Sequence, residues 1–130
     1  MRKIILLISL LGAMAFVGCS DMGNTVTDGN NPPDTLVTFA ADIQPIFQAN
    51  CANCHINGAI NGDLQLDSYA LLMSTGIHTP VIIPFQPDSS YLVLKIEGRA
   101  AGDRMPAGGM LSSTDSLKIR IWVTHGAQDN

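Results

Sequence analysis

Cys51-Ala52-Asn53-Cys54-His55 is the stretch that decides how this chain reads. Cys-x-x-Cys-His is the spacing that attaches a c-type haem. Two thiols must reach the two vinyl groups of one porphyrin and form thioethers. The next residue must then set an imidazole nitrogen beneath the iron. Cys51 and Cys54 supply the thiols and His55 the imidazole, which implies one covalently held haem c. The plainer readings of the pair are a dithiol redox couple, part of a zinc site or a surface disulfide. Each lacks a partner here. A zinc site of this kind wants a second Cys/His pair, and the chain has only three cysteines.

The third is Cys19. Met1-Arg2-Lys3 is followed by the mostly apolar run Ile4 to Val17 and then Gly18-Cys19-Ser20. A basic start, an apolar run and small residues before a cut site are the parts of a secretory signal. The run is too short for a membrane span, which needs about 20 apolar residues. Phe16-Val17-Gly18-Cys19 resembles a bacterial lipobox, with Phe where Leu is usual. Residues 1–18 are therefore expected to be removed and Cys19 to carry lipid, anchoring an exported protein to a membrane of the bacterial cell envelope. The plainer alternative is an ordinary signal peptide followed by a stray thiol. Export agrees with the haem, which bacteria attach on the far side of the membrane.

Beyond residue 18, five Lys/Arg stand against all 11 Asp/Glu, a formal charge of −6. Such a balance argues against nucleic acid and against electrostatic adhesion to anionic lipid. Residues 19–37 are rich in Gly, Asn, Asp and Pro without an apolar period, and read as a flexible tether. Residues 38–127 form the folded unit, small enough that a covalently held apolar cofactor matters to its core.

Four short helices joined by long loops make an all-α unit. The first runs from about Asp42 to Asn50, capped by Asp42, with Pro45 tolerated in the first turn. The second runs from about Ser68 to Thr75 behind an Asp67 cap. The third runs from about Ser89 to Glu97, capped by Asp88 and stopped by Gly98. The fourth runs from Ser112 or Ser113 to Thr124 or His125. Its Leu117, Ile119, Ile121, Trp122 and Val123 cover more than half its girth, so it should be largely buried.

A second chemical signal is Arg104-Met105-Pro106-Ala107-Gly108-Gly109, in a loop with no helical pattern. A thioether is a soft, neutral iron ligand that favours Fe(II). Pro106 stiffens the loop, and the glycines let backbone pass close to a cofactor. Met105 is thus the candidate distal ligand. Met110, Met73 and His78 are its rivals, and gap-filling is the plain alternative. His125 reads as a helix-terminal surface residue.

The order of these motifs resembles the small monohaem cytochrome c domains of the planctomycete type. It runs from an Asp-Ile-x-Pro-Ile-Phe helix through Cys51 to His55, Gly62-Asp63-Leu64-Gln65-Leu66-Asp67, and Pro84 to Leu92. It continues with Met105-Pro106-Ala107-Gly108-Gly109 and ends on Ile121-Trp122-Val123-x-x-Gly126-Ala127. The resemblance implies haem thioethers at Cys51 and Cys54, His55 as proximal and Met105 as distal ligand. It also implies a class I cytochrome c-like fold whose first and last helices cross, placing Ile43 and Phe47 on Ile119, Trp122 or Val123. This chain has Phe85-Gln86-Pro87 where family members often have Gly-Asp-Pro, and Ala107 where many have a second Pro.

Electron transfer to redox partner proteins is the leading function, without enzyme activity. No Ser-His-Asp set, phosphate loop or spaced carboxylate cluster is visible, and the acidic residues are scattered singly. A haem module that binds a gas or peroxide at a displaceable sixth site is the second reading. A non-haem lipoprotein that docks surface proteins is the third.

Overall fold

Pro45 shapes the entry into the fold. It has no N–H to offer the carbonyl four residues back, and its ring crowds that carbonyl. The chain there winds as a widened π turn, Phe39–Ile43, before tightening into helix α1, Gln44–Asn50. The computed structural model describes residues 36–58 and 61–130, which lie in one unit, Asp34–Asn130. The expectations for the leader, Cys19 and the tether up to residue 35 lie outside them.

The first helical segment begins at Phe39 rather than Asp42, because Thr38 and not Asp42 caps it. Thr38 Oγ1 accepts from the Ala41 N–H at 3.3 Å, and the Asp42 carboxylate reaches back to the Thr38 N–H at 3.0 Å. The outer oxygen of Asp42 takes the Lys118 ammonium at 2.9 Å. These bonds hold the Asp42 carboxyl below its ordinary pKa, the Lys118 hydrogen bond first among the causes.

Helix α2, Ala52–His55, follows at once, and α3 is Tyr69–Ser74. The cap of α3 is Ser68, whose hydroxyl accepts from the Leu71 N–H at 3.3 Å. The expected cap, Asp67, instead accepts from the Asn57 N–H at 2.8 Å and ties down the turn after His55. Helix α4, Tyr91–Glu97, follows a tight 3₁₀ turn, Pro87–Ser89, and ends as expected on Gly98, whose φ of 71° is left-handed. Its expected cap, Asp88, is drawn away by two guanidinium groups, Arg120 at 2.7 Å and Arg99 at 2.8 Å. Glu97 closes the ring with Arg99 and Arg120. So Asp42, Asp88 and Glu97 are not lone solvated acids but paired ones.

Helix α5, Ser113–Thr124, starts at the Ser112 cap, where the hydroxyl accepts from the Asp115 N–H at 3.0 Å. It packs on α4 and, toward the N-terminus, on the π turn. Ile119, Trp122 and Val123 are buried, while Leu117 and Ile121 are half-buried. Ile43, Phe47, Ile119, Trp122 and Val123 share one apolar core. The ring of Phe39 lies 5.6 Å from Trp122 and 5.4 Å from Tyr69. Such aromatic pairs add to plain area burial. The polar ends of the rings are satisfied by the C-terminal segment: Tyr69 O–H donates to Ala127 O and Trp122 Nε1–H to Gln128 O, both at 2.9 Å.

The described residues thus hold five α-helices and no strand, the all-α architecture expected. The extra helix is α2, too short to stand out by periodicity. No described helix is long and apolar enough to cross a membrane.

Candidate functional site

Cys51 joins α1 to α2, and His55 ends α2. Both line a cleft enclosing about 870 Å³ with the solvent at its mouth. Phe47 of α1, Leu64, Leu66, Val81, Leu92 and Ile96 give it an apolar lining. Tyr91 and Lys95 of α4 and Met105 line it too.

The His55 ring is oriented by backbone. Its Nδ1 lies 3.1 Å from the carbonyl oxygen of Leu64. A carbonyl only accepts, so Nδ1 carries the proton and the lone pair on Nε2 is free for a metal. The Leu66 N–H in turn donates to the His55 carbonyl at 2.8 Å, so the segment after the motif is strapped to it twice. This strap escaped the sequence reading. The alternation Leu64-Gln65-Leu66, which sends both leucines to one side of an extended segment, was its only signal.

Cys51 and Cys54 are half-buried and not joined in a disulfide. Burial, followed by the proximity of Cys54, pushes the Cys51 thiol up to about 11. A redox-active dithiol needs a lowered pKa instead. Cys54 lies three residues along, on α2, but does not line the cleft.

Of the candidate sulfur ligands, Met105 is half-buried in the cleft wall. Met110 is 66% exposed and belongs to a separate surface hollow, where its Sδ accepts from the Arg104 guanidinium at 3.4 Å. Met73 packs against the apolar core from α3. His78 lines the cleft and lies ring to ring with Tyr91 at 4.0 Å. His125 caps the C-terminal end of α5 and is exposed, as expected.

An apolar cleft, two unpaired thiols on one helical bend, an imidazole with its outer nitrogen free and a thioether lining the same cleft suit a haem. That set fits what a c-type cytochrome domain requires. The Planctomycete cytochrome C family matches residues 51–108, from the first cysteine of the motif through the Met105 loop. Over those residues the chain is similar to a planctomycete-type cytochrome c domain. No curated protein and no solved structure matches the chain.

Proposed function

We propose that this chain is a lipid-anchored electron carrier of the class I type, with one covalent haem c held by Cys51 and Cys54. His55 is its proximal and Met105 its distal ligand. Bound there, haem supplies a one-electron Fe(III)/Fe(II) couple whose reduced state a neutral thioether favours. The carrying observation is the shared cleft: His55 and Met105 both line it, and Met110 does not. The Leu64 carbonyl keeps the His55 ring in one tautomer and orientation. Apolar residues around the cleft exclude water, and a ligand from each of two separate segments needs little rearrangement when charge changes. The Phe39–Trp122 contact between the N-terminal turn and the last helix supports the class I crossing.

Export and acylation at Cys19 would place the domain on a membrane facing the periplasm or the exterior, on a tether ending near residue 37. Its partners there are redox proteins rather than nucleic acid. Optical spectra of haem-loaded protein test the reading. A six-coordinate, low-spin haem in both redox states with a weak red-edge Fe(III)–sulfur band is expected. A five-coordinate haem would overturn it in favour of a gas- or peroxide-binding module.

A further inference from the structure

The Met105 loop has little apolar substance of its own. Ala101, Gly102, Asp103 and Arg104 are all exposed. What holds it is the C-terminal end of α4, where the last carbonyls of a helix lack partners within it. The Leu94 carbonyl accepts from the N–H groups of Arg99 and Ala100 at 2.8 and 3.3 Å. The Ile96 carbonyl accepts from Arg104 Nε at 2.7 Å. Lys95 is used twice. Its carbonyl accepts from the Met105 N–H at 3.0 Å, and its ammonium donates to the carbonyls of Ala101, at 3.2 Å, and Asp103.

We propose that Lys95 is the positioning residue of the distal ligand. Its side chain crosses the base of the loop, gathers two carbonyls from either side of Gly102 and so holds Met105 in the cleft wall. The other mature-chain cations differ from it. Arg99, Arg120 and Lys118 are occupied by carboxylates, Arg104 is turned to the Ile96 carbonyl and the Met110 sulfur, and Lys95 is the ammonium that both lines the cleft and grips the ligand loop. The inference rests on Met105 being the sixth ligand. Without the clasp, the loop samples open states more often, and the iron–sulfur bond breaks more often.

The test is the rate at which imidazole, a neutral ligand insensitive to the lost charge, binds the oxidised, haem-loaded full chain. Wild type, Lys95→Met, Met105→Ala and the double variant are compared. Lys95→Met keeps the stem in the cleft and removes the donors. It should bind imidazole about tenfold faster, as expected for losing two charge-assisted hydrogen bonds at a partly exposed site. In the Met105→Ala background the same change should have no effect, because the residue acts through the sulfur. A wild-type rate in Lys95→Met, or an equal acceleration in both backgrounds, would overturn the proposal. Should Lys95→Met fail to take haem, Lys95→Gln, which keeps neutral amide donors but loses the charge, should give an intermediate rate, and an unchanged rate overturns it equally. If the wild type itself lacks the Fe(III)–sulfur band, the ligation reading fails and this one with it, and the spectrum tells that failure apart.

Discussion

The Nδ1–H of His55 donates to the backbone carbonyl of Leu64 at 3.1 Å, nine residues further along the chain. A backbone acceptor does not titrate or change rotamer. The ring orientation is therefore a property of the fold and not of another side chain, and the direction of Nε2 is fixed before any cofactor arrives.

The first prediction follows from that arrangement. Cys51→Ala with Cys54→Ala should abolish covalent haem, seen as loss of one haem from the intact mass after acid–acetone extraction. His55→Ala should keep the thioethers but lose the low-spin spectrum. A wild type that releases its haem on extraction would refute the covalent assignment.

A pH prediction follows from Asp42. Its carboxyl is held below the ordinary 3.8, with the Lys118 hydrogen bond the largest cause. A group whose folded pKa is depressed contributes stability above its unfolded value and loses it as pH falls through the folded one. Asp42→Asn should therefore cost about 1 kcal/mol near neutral pH. The gap to wild type should shrink as pH falls below 3.8. Denaturant unfolding at several pH values measures it, and a pH-independent gap would contradict the assignment.

Phe85 gives a third. It has φ 64° and is 68% exposed, a bulky side chain in the left-handed region with little burial to offset the strain. That conformation costs roughly 1–2 kcal/mol for most L-residues. Phe85→Asn should stabilise the domain by about 0.5–1 kcal/mol, since Asn tolerates this region. A lowered melting temperature would show that the ring's packing against Gly126 outweighs the strain.

The sequence was most legible where one covalent or stereochemical rule dominates. The Cys-x-x-Cys-His spacing singles out Cys51, Cys54 and His55 as candidates by reach alone, and Gly98 stops α4 because it can take φ 71°. Caps were legible in kind but not in identity. Asp67 and Asp88 are good caps in isolation, yet each found a better long-range partner, the Asn57 N–H and the Arg99 and Arg120 guanidinium groups. The π turn was hidden because Pro45 reads the same at the start of any helix. The Lys95 clasp and the Leu64 strap were invisible because both use backbone carbonyls, which every residue has.

The fourth prediction concerns Cys19, argued from sequence alone. A fatty-acid analogue fed to the producing cells should label the wild type and not Cys19→Ser. A mature N-terminus other than Cys19 would remove the anchor from the proposal and leave the haem domain untouched.

The last prediction separates Met105 from its neighbours. Met105 lines the cleft with His55, while Met110 is 66% exposed in another hollow and His78 rests on Tyr91. Thioether ligation favours Fe(II) more than imidazole does. Met105→His should thus keep a low-spin haem and lower the potential by about 0.1 V or more, a fraction of the roughly 0.8 V that axial ligation spans. Met105→Ala should lose the Fe(III)–sulfur band and open the sixth site to carbon monoxide in the reduced protein. Met110→Ala should do neither, because its sulfur faces Arg104 and not the cleft. His78→Ala should leave the spectrum unchanged as well. If Met105→Ala keeps the wild-type spectrum and potential, Met105 is a packing residue, and the sixth position belongs to another group or to none.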